Sequence, residues 1–326
     1  MQTFPVEYSS LSTAVLLRFI IEQYGLTPAS SIVFLKRGFN DTYLIKADQE
    51  NYVCRVYKHG WRKVESIESE LDLLVYLKQN NISVSVPIQS LTKKTIHEIY
   101  APEGVRHLVL FSYAQGRRVR KLTIDQAFLL GVETAKLHLL TAHKKIEKTA
   151  QNYGIKEQFN NTLNVLQLIL ANHPQQLQFL LQLEQKFLKE LEAINEKELV
   201  QGICHGDLQA ENFHIDEANQ LTFFDFDFFG QGYLIYDIGV FMWYDHKNKP
   251  PEIRNAFLKG YESKRPLTET ERRFIPWLST IRALFQMTLY CKISDGKQLP
   301  LWPESEIAAF IDKVRKWFEE KCGNEK

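Results

Sequence analysis

The spacing of apolar residues shifts along the chain, and the shifts mark its organisation. Over 9–24, Leu16, Leu17, Ile20, Ile21 and Tyr24 recur at helical spacing behind serines suited to capping, which predicts an amphipathic helix. Between 31 and 58 the texture changes to three short runs, SIVFLK, TYLIKA and NYVCRVYK, rich in β-branched and aromatic residues. Turn chemistry at 38–41 and 48–51 separates them, so an antiparallel meander is expected. Helical spacing returns over 64–79, where Ile67, Leu71, Leu74 and Leu77 share a face. Strands are expected at 95–100 and 107–112. From Thr123 the helical period dominates. A helix over 123–142 opens on Thr123 and Gln126 as a capping box, and 157–195 is expected to break near His173-Pro174. Helices are also expected over 233–244, 250–262, 268–293 and 303–321, with short strands and turns between 199 and 227. The pattern predicts an α+β chain. A small antiparallel β-rich N-terminal lobe, 1–112 with its leading helix 9–24, joins a larger α-helical C-terminal lobe, 113–326, near 113–116.

Composition narrows the field. The chain has 326 residues, 44% of them hydrophobic, with 40 Lys and Arg against 39 Asp and Glu. So balanced a chain lacks the strongly basic footprint of a nucleic-acid or membrane-surface binder, and it is too apolar for disorder. Cys54, Cys204, Cys291 and Cys322 form no CxxC pair, which points to a reducing compartment. The N-terminus shows no basic stretch followed by an apolar one, and no apolar run approaches the roughly 20 residues of a membrane span. A cytoplasmic protein is expected, with no nucleic-acid or membrane partner and its oligomeric state open.

The densest chemistry lies in His205-Gly206-Asp207-Leu208-Gln209-Ala210-Glu211-Asn212, followed 13 residues after Asn212 by Asp225-Phe226-Asp227. FHID and LTFFDF read as two strands around a turn at 217–219, and a hairpin would return Asn212 and Asp225 to the same end. One amide carbonyl and one carboxylate there suit Mg²⁺ bound also to phosphate oxygens. Asp207, ahead of the hairpin, is placed to orient an attacking hydroxyl and accept its proton.

HGDxxxxN followed by the Asp of DFD resembles the signature of the aminoglycoside phosphotransferase and choline kinase superfamily, which has the protein-kinase-like fold. The resemblance runs along nearly the whole chain. Gly38-Phe39-Asn40-Asp41-Thr42 sits where that superfamily has a phosphate-covering hairpin loop, YVCRVYK matches the strand with the basic residue, and HLVLFSYAQGR matches the hinge. GVETAKLHLL resembles the helix ending in Leu-His, here Leu137-His138, and YDIGVFMW the helix opening on a structural Asp, here Asp237. The resemblance implies an ATP- and Mg²⁺-dependent enzyme. Asp207 would be the catalytic base, and Asn212 and Asp225 the metal ligands, with Asp227 near a second ion or the substrate. Gly38, Asn40 and Thr42 would cover the triphosphate, and Arg55 would meet the α and β phosphates. Glu70 is the expected partner of Arg55, because it shares the inward face of its helix with Ile67, Leu74 and Leu77, whereas Glu68 does not. Backbone groups near Ser112 and Ala114 would hold the adenine.

Two positions depart from the superfamily pattern. Gln209 replaces a frequent His, and Glu211 replaces a common Gly, placing an extra carboxylate beside the metal site. Other conspicuous residues have plainer readings. His205 and His138 are expected to brace the backbone and a helix end, Cys204 to be a small buried hydrophobe, and Arg117, Arg118, Arg120 and Lys121 to form a solvated face. Phe228, Phe229, Tyr233, Trp243, Tyr244, Trp277, Tyr290 and Trp302 read mostly as core, although aromatic pockets also bind quaternary amines. The short connection 230–234 after DFD leaves no room for a protein-kinase activation segment and favours a small hydroxyl acceptor, aminoglycoside-like or an amino-alcohol. Asp227, Glu211, Trp243 and Asp245 would lie within its reach. Homoserine kinases and a bacterial stress-response serine/threonine kinase share the motifs. A non-catalytic nucleotide-binding module is the rival from another class.

Overall fold

The computed structural model describes residues 4–48, 50–145, 151–153, 155–194, 196–243, 250–293 and 302–322. Helix α1 (Thr13–Tyr24) ends at Gly25, whose left-handed φ of 66° lets its N–H cap the Ile21 carbonyl. The meander follows as β1 (Ser31–Arg37), β2 (Asn40–Lys46) and β3 (Asn51–Tyr57). After α2 (Val64–Gln79), β4 (His97–Ala101) and β5 (Gly104–Ser112) complete a five-stranded antiparallel sheet in the order β1-β2-β3-β5-β4. Alternation sorts its residues by face. Tyr43, Ile45, Cys54, Val56, Leu108 and Leu110 pack with Leu16, Ile20 and Tyr24 of α1 into one core cluster, while Arg55 and Tyr57 of β3 turn to the other face.

One local expectation is corrected. Residues 38–41 carry turn chemistry, but only Gly38 and Phe39 turn, and Asn40 and Asp41 begin β2. Asp41 is drawn into the strand by two guanidinium groups, Arg37 at 3.1 Å and Arg106 at 3.1 Å, and it is fully buried. Arg106, equally buried, also donates to the carbonyls of Tyr57 and Ser9, which ties down the segment before α1.

The strand β6 (Arg117–Arg118) precedes the first helices of the second half, α3 (Ile124–Thr141), α4 (Ile155–Ile169) and α5 (Pro174–Ala193), with the short strand β7 (Gln151–Tyr153) before α4. The capping box of Thr123 and Gln126 is made in both directions, and α5 starts at Pro174, where proline has no intrahelical hydrogen bond to lose. Next come β8 (Gln201–Cys204), the hairpin β9 (Phe213–Ile215) and β10 (Leu221–Phe223), β11 (Gly230–Tyr233), and the helices α6 (Ile235–Trp243), α7 (Pro251–Glu262), α8 (Glu269–Ile293) and α9 (Glu304–Cys322).

The chain forms two compact units. The described residues of Met1–Arg118 and Phe213–Phe224 make the first, and those of Val119–Ile146, Ala150–Asn212 and Asp225–Lys326 the second. The hairpin joins the first unit because β9 pairs with β6, Arg117 opposite Ile215, and Phe223 exchanges backbone hydrogen bonds with Ser83 and Ser85. In the second unit β11 pairs with β8 and β7. The helices α3 and α7 pack closely at glycines: a methyl group on Gly131 would strike the backbone of Phe257 and Tyr261, and one on Gly260 that of Phe128. Among the described residues no helix is long and apolar enough to cross a membrane.

Candidate active site

In the first unit β3 and α2 bring together Arg55, expected to meet phosphate, and Glu70, its expected partner. Arg55 Nη1 lies 2.9 Å from Glu70 Oε1, with both residues buried. The guanidinium sits 5.1 Å from the ring centroid of Phe111. Glu70 also accepts from Tyr57 Oη at 3.3 Å and from Arg62 Nη1. Arg62 was not singled out from sequence. It belongs to the segment just before α2, and only the fold shows that it shares Glu70 with Arg55. A carboxylate between two guanidinium groups is rigidly placed.

The loop expected to cover phosphates is open at its glycine: a methyl group on Gly38 would meet nothing within 4 Å. Phe39 beside it stacks on Trp61, with centroids 4.4 Å apart. Asn40 is buried and Thr42 half-buried in β2, with Thr42 opposite Arg55 in the register. At the hinge the Ser112 N–H donates to Val86 O at 2.9 Å, and Ser112 Oγ accepts from the Val86 N–H. His214 Nδ1 lies 2.7 Å from Ala114 O, and since a carbonyl only accepts, Nδ1 carries the proton there.

In the second unit the loop after β8 is held by one buried carboxylate. Asp237, in the first turn of α6, accepts from the backbone N–H of His205 at 2.7 Å and of Gly206 at 2.8 Å, and from His138 Nε2 at 3.0 Å. His138 Nδ1 in turn meets Tyr261 Oη at 2.8 Å. Burial pushes the Asp237 pKa up, but the hydrogen bond and charge of His138, with His205 and Gly206 behind them, outweigh it and hold the carboxyl below its usual range. The His205 ring lies on Phe226, centroids 4.2 Å apart, so it braces the loop against the DFD turn.

Asp207 emerges from this clamp with a buried carboxylate bound at both oxygens. Oδ2 accepts from Gln209 Nε2 at 2.7 Å and from Asn212 Nδ2 at 2.7 Å. Oδ1 accepts from Arg282 Nη2 at 2.6 Å. Asn212 Nδ2 also donates to Asp207 O, so its amide nitrogen faces Asp207 and its carbonyl oxygen faces away. Phe213 pairs with Phe223, and Asn212 and Asp225 therefore leave the hairpin from the same end. Asp225 sits in the left-handed region, φ 65° and ψ 59°, a conformation costing about 1 kcal/mol that aspartate tolerates better than most residues. Asp227 is half-buried two residues on, and Glu211 is exposed. Arg282, on α8, was missed from sequence, because one arginine in an otherwise helix-forming stretch carries no local signal.

The side chains of Phe228, Phe229, Tyr233, Trp243 and Trp277 are buried as core, and Trp243 packs edge-on against Phe310 and Trp317. Cys204 is buried and donates to the Tyr233 carbonyl, and burial raises its thiol pKa well above the usual value. Tyr244 and Asp245 lie outside the described residues, as do the side chains of Tyr290, Cys291 and Cys322.

A model of the phosphotransferase enzyme family matches residues 31–275, three quarters of the chain and every residue of the two groups above except Arg282. The chain belongs to that family. Among curated relatives of this phosphotransferase, an uncharacterised protein of Synechocystis is 28% identical over 91% of this chain and 83% of its own. A homoserine kinase of Neisseria meningitidis is 24% identical over 82% of this chain and 85% of its own. Among solved structures, an amicoumacin kinase in complex with AMP-PNP and Ca²⁺ superposes with a TM-score of 0.73 at 23% identity, over 95% of this chain and 94% of that one. A microcompartment-associated aminopropanol kinase gives 0.71 at 19%, over 95% and 98%. The phosphotransferase thus has the protein-kinase-like α+β fold of these kinases.

Proposed function

We propose that this phosphotransferase moves the γ-phosphate of ATP to a hydroxyl group of a small molecule. The observation that carries the reading is the Asp207 carboxylate, oriented at both oxygens by Arg282, Gln209 and Asn212. A carboxylate so fixed orients an incoming hydroxyl and takes its proton late, as attack on phosphorus proceeds. Asn212 and Asp225 fit a Mg²⁺ ion by donor chemistry, since one offers an amide oxygen turned away from Asp207 and the other a carboxylate. Asp227 serves a second ion or the acceptor. The metal, when bound, neutralises charge on the β and γ phosphates.

Arg55, braced by Glu70, aligns the α and β phosphates, and Gly38, Asn40 and Thr42 cover the triphosphate. At the hinge the Ala114 carbonyl is taken by His214 and the Ser112 N–H by Val86, so the adenine edge meets the Ala114 N–H and the Ser112 carbonyl. The chain works in the cytoplasm without nucleic-acid or membrane partners.

A second reading takes homoserine as the acceptor, favoured by the homoserine kinases among the curated relatives.

The test is ADP release from Mg²⁺-ATP against aminoglycosides, choline, ethanolamine, aminopropanol, homoserine and a generic protein acceptor, with Asp207→Asn as control. Turnover with one small-molecule class, lost in the variant, is expected. Turnover only with the protein acceptor makes the chain a serine/threonine kinase. Nucleotide binding with no turnover makes it a binding module, and no nucleotide binding rejects the reading.

A further inference from the structure

Beyond the residues of the HGDxxxxN and DFD signatures, we propose that Arg282 positions the Asp207 carboxylate for phosphoryl transfer, an inference that rests on the reading of Asp207 as the base. Arg282 lies on α8, 75 residues after Asp207, and is 2% exposed. Its Nη2 approaches Asp207 Oδ1 to 2.6 Å, and its guanidinium carbon lies 5.7 Å from the ring centroids of both Phe228 and Phe285. Phe228 closes the turn that begins at Asp225. The guanidinium is therefore wedged between the segment carrying the base and the one carrying the acidic metal ligand, with aromatic rings restricting its movement.

The placement of α8 is itself fixed next to this contact. Gly239 of α6 lets the helices approach until a methyl group there would meet Leu278 and Ser279, and Ser279 Oγ donates to Gly239 O at 2.9 Å. Two residues before Gly239 is Asp237, which holds the backbone N–H groups of His205 and Gly206. Three residues after Ser279 is Arg282. One helix thus grips the backbone of the catalytic loop and its neighbour grips the side chain, and the glycine contact sets the distance between the two grips. Gln209 and Asn212 are neutral amides that both bind Oδ2, whereas Arg282 holds Oδ1 through a charge-assisted bond, so the second oxygen is fixed by the strongest of the three contacts. Orientation of this kind acts on the chemical step and not on nucleotide capture.

The experiment is steady-state ADP formation with the full chain, using the acceptor found above or, without one, water as acceptor in basal ATP hydrolysis. For Arg282→Met we expect kcat to fall roughly 10²- to 10³-fold with KM for ATP changed by less than about 3-fold, the split expected for an interaction that counts in the transition state. Arg282→Lys, which keeps the charge and loses the planar fork, should fall about 10-fold at an unchanged melting temperature. Millimolar guanidinium should restore Arg282→Ala saturably, and urea should not. In an Asp207→Asn background, Arg282→Met should cost less than about 3-fold more, because residues acting as one unit are not additive.

Wild-type kcat in folded Arg282→Met or Arg282→Lys overturns the proposal, as do additive losses in the double variant. Should the Met and Ala variants fail to fold, the Lys variant decides alone. A wild-type chain whose ATP turnover equals that of Asp207→Asn overturns the reading of the base itself, and this inference with it.

Discussion

A single carboxylate can be buried for two opposite reasons, and Asp207 and Asp237 show both. Asp237 is closed off from solvent, its oxygens taken by two backbone N–H groups and an imidazole, so its work is to hold the loop. Replacing it with Asn puts an amide N–H against groups that donate, and should cost about 3 kcal/mol of stability. The sign with pH follows from its depressed pKa. Its stabilisation is fully present above the ordinary aspartate value and is lost as pH falls through the lower folded value. In urea titrations the gap between wild type and Asp237→Asn should therefore stay constant from about pH 7 to 5 and close below about pH 4. Arg55 differs in kind, because Glu70 remains with Arg62 if it is removed. Arg55→Met should raise KM for ATP about 10-fold or more and leave the fold intact, measured by initial rates and circular dichroism.

Among elements, those with a strong period and clear punctuation were legible. The helix read over 64–79 is Val64–Gln79, and the break at His173-Pro174 falls where α5 begins. The short strands β6, β7 and β11 were not, because two to four residues carry no period of their own and exist only through their partners. Asp41 was misread for a related reason. The run Gly38-Phe39-Asn40-Asp41 signals a turn locally, and only pairing with Arg37 and the distant Arg106 makes Asp41 a strand residue. The HGDxxxxN signature was readable because its residues sit within one loop, whereas Arg282 reaches that loop from α8. Helix packing supplies a further prediction. The face between α3 and α7 has no room at Gly131, so Gly131→Ala should cost roughly 2–4 kcal/mol, read as a lowered urea midpoint. Because α7 carries Tyr261, which bonds to His138, the damage should extend to the loop behind Asp207.

For the whole molecule, binding energy should appear as stability. If Mg²⁺-AMP-PNP binds the folded chain alone, a concentration one hundred times its dissociation constant adds about 2.7 kcal/mol, seen as a rise in melting temperature. The rise should shrink sharply in Arg55→Met and persist in Asp207→Asn, which separates nucleotide capture from chemistry.

The order of the chain has a consequence for its synthesis. The first unit takes back a hairpin made only at residues 213–224, and the loop that bears Asp207 receives its arginine from a helix that starts at Glu269. A ribosome therefore makes the strand of Arg55 early and the Asp207 partner Arg282 near the end. The growing chain would have the Arg55–Glu70 pair early, and on the function proposed above it would transfer phosphate only weakly until α8 had emerged and folded, so that fragments ending before α8 should consume little ATP.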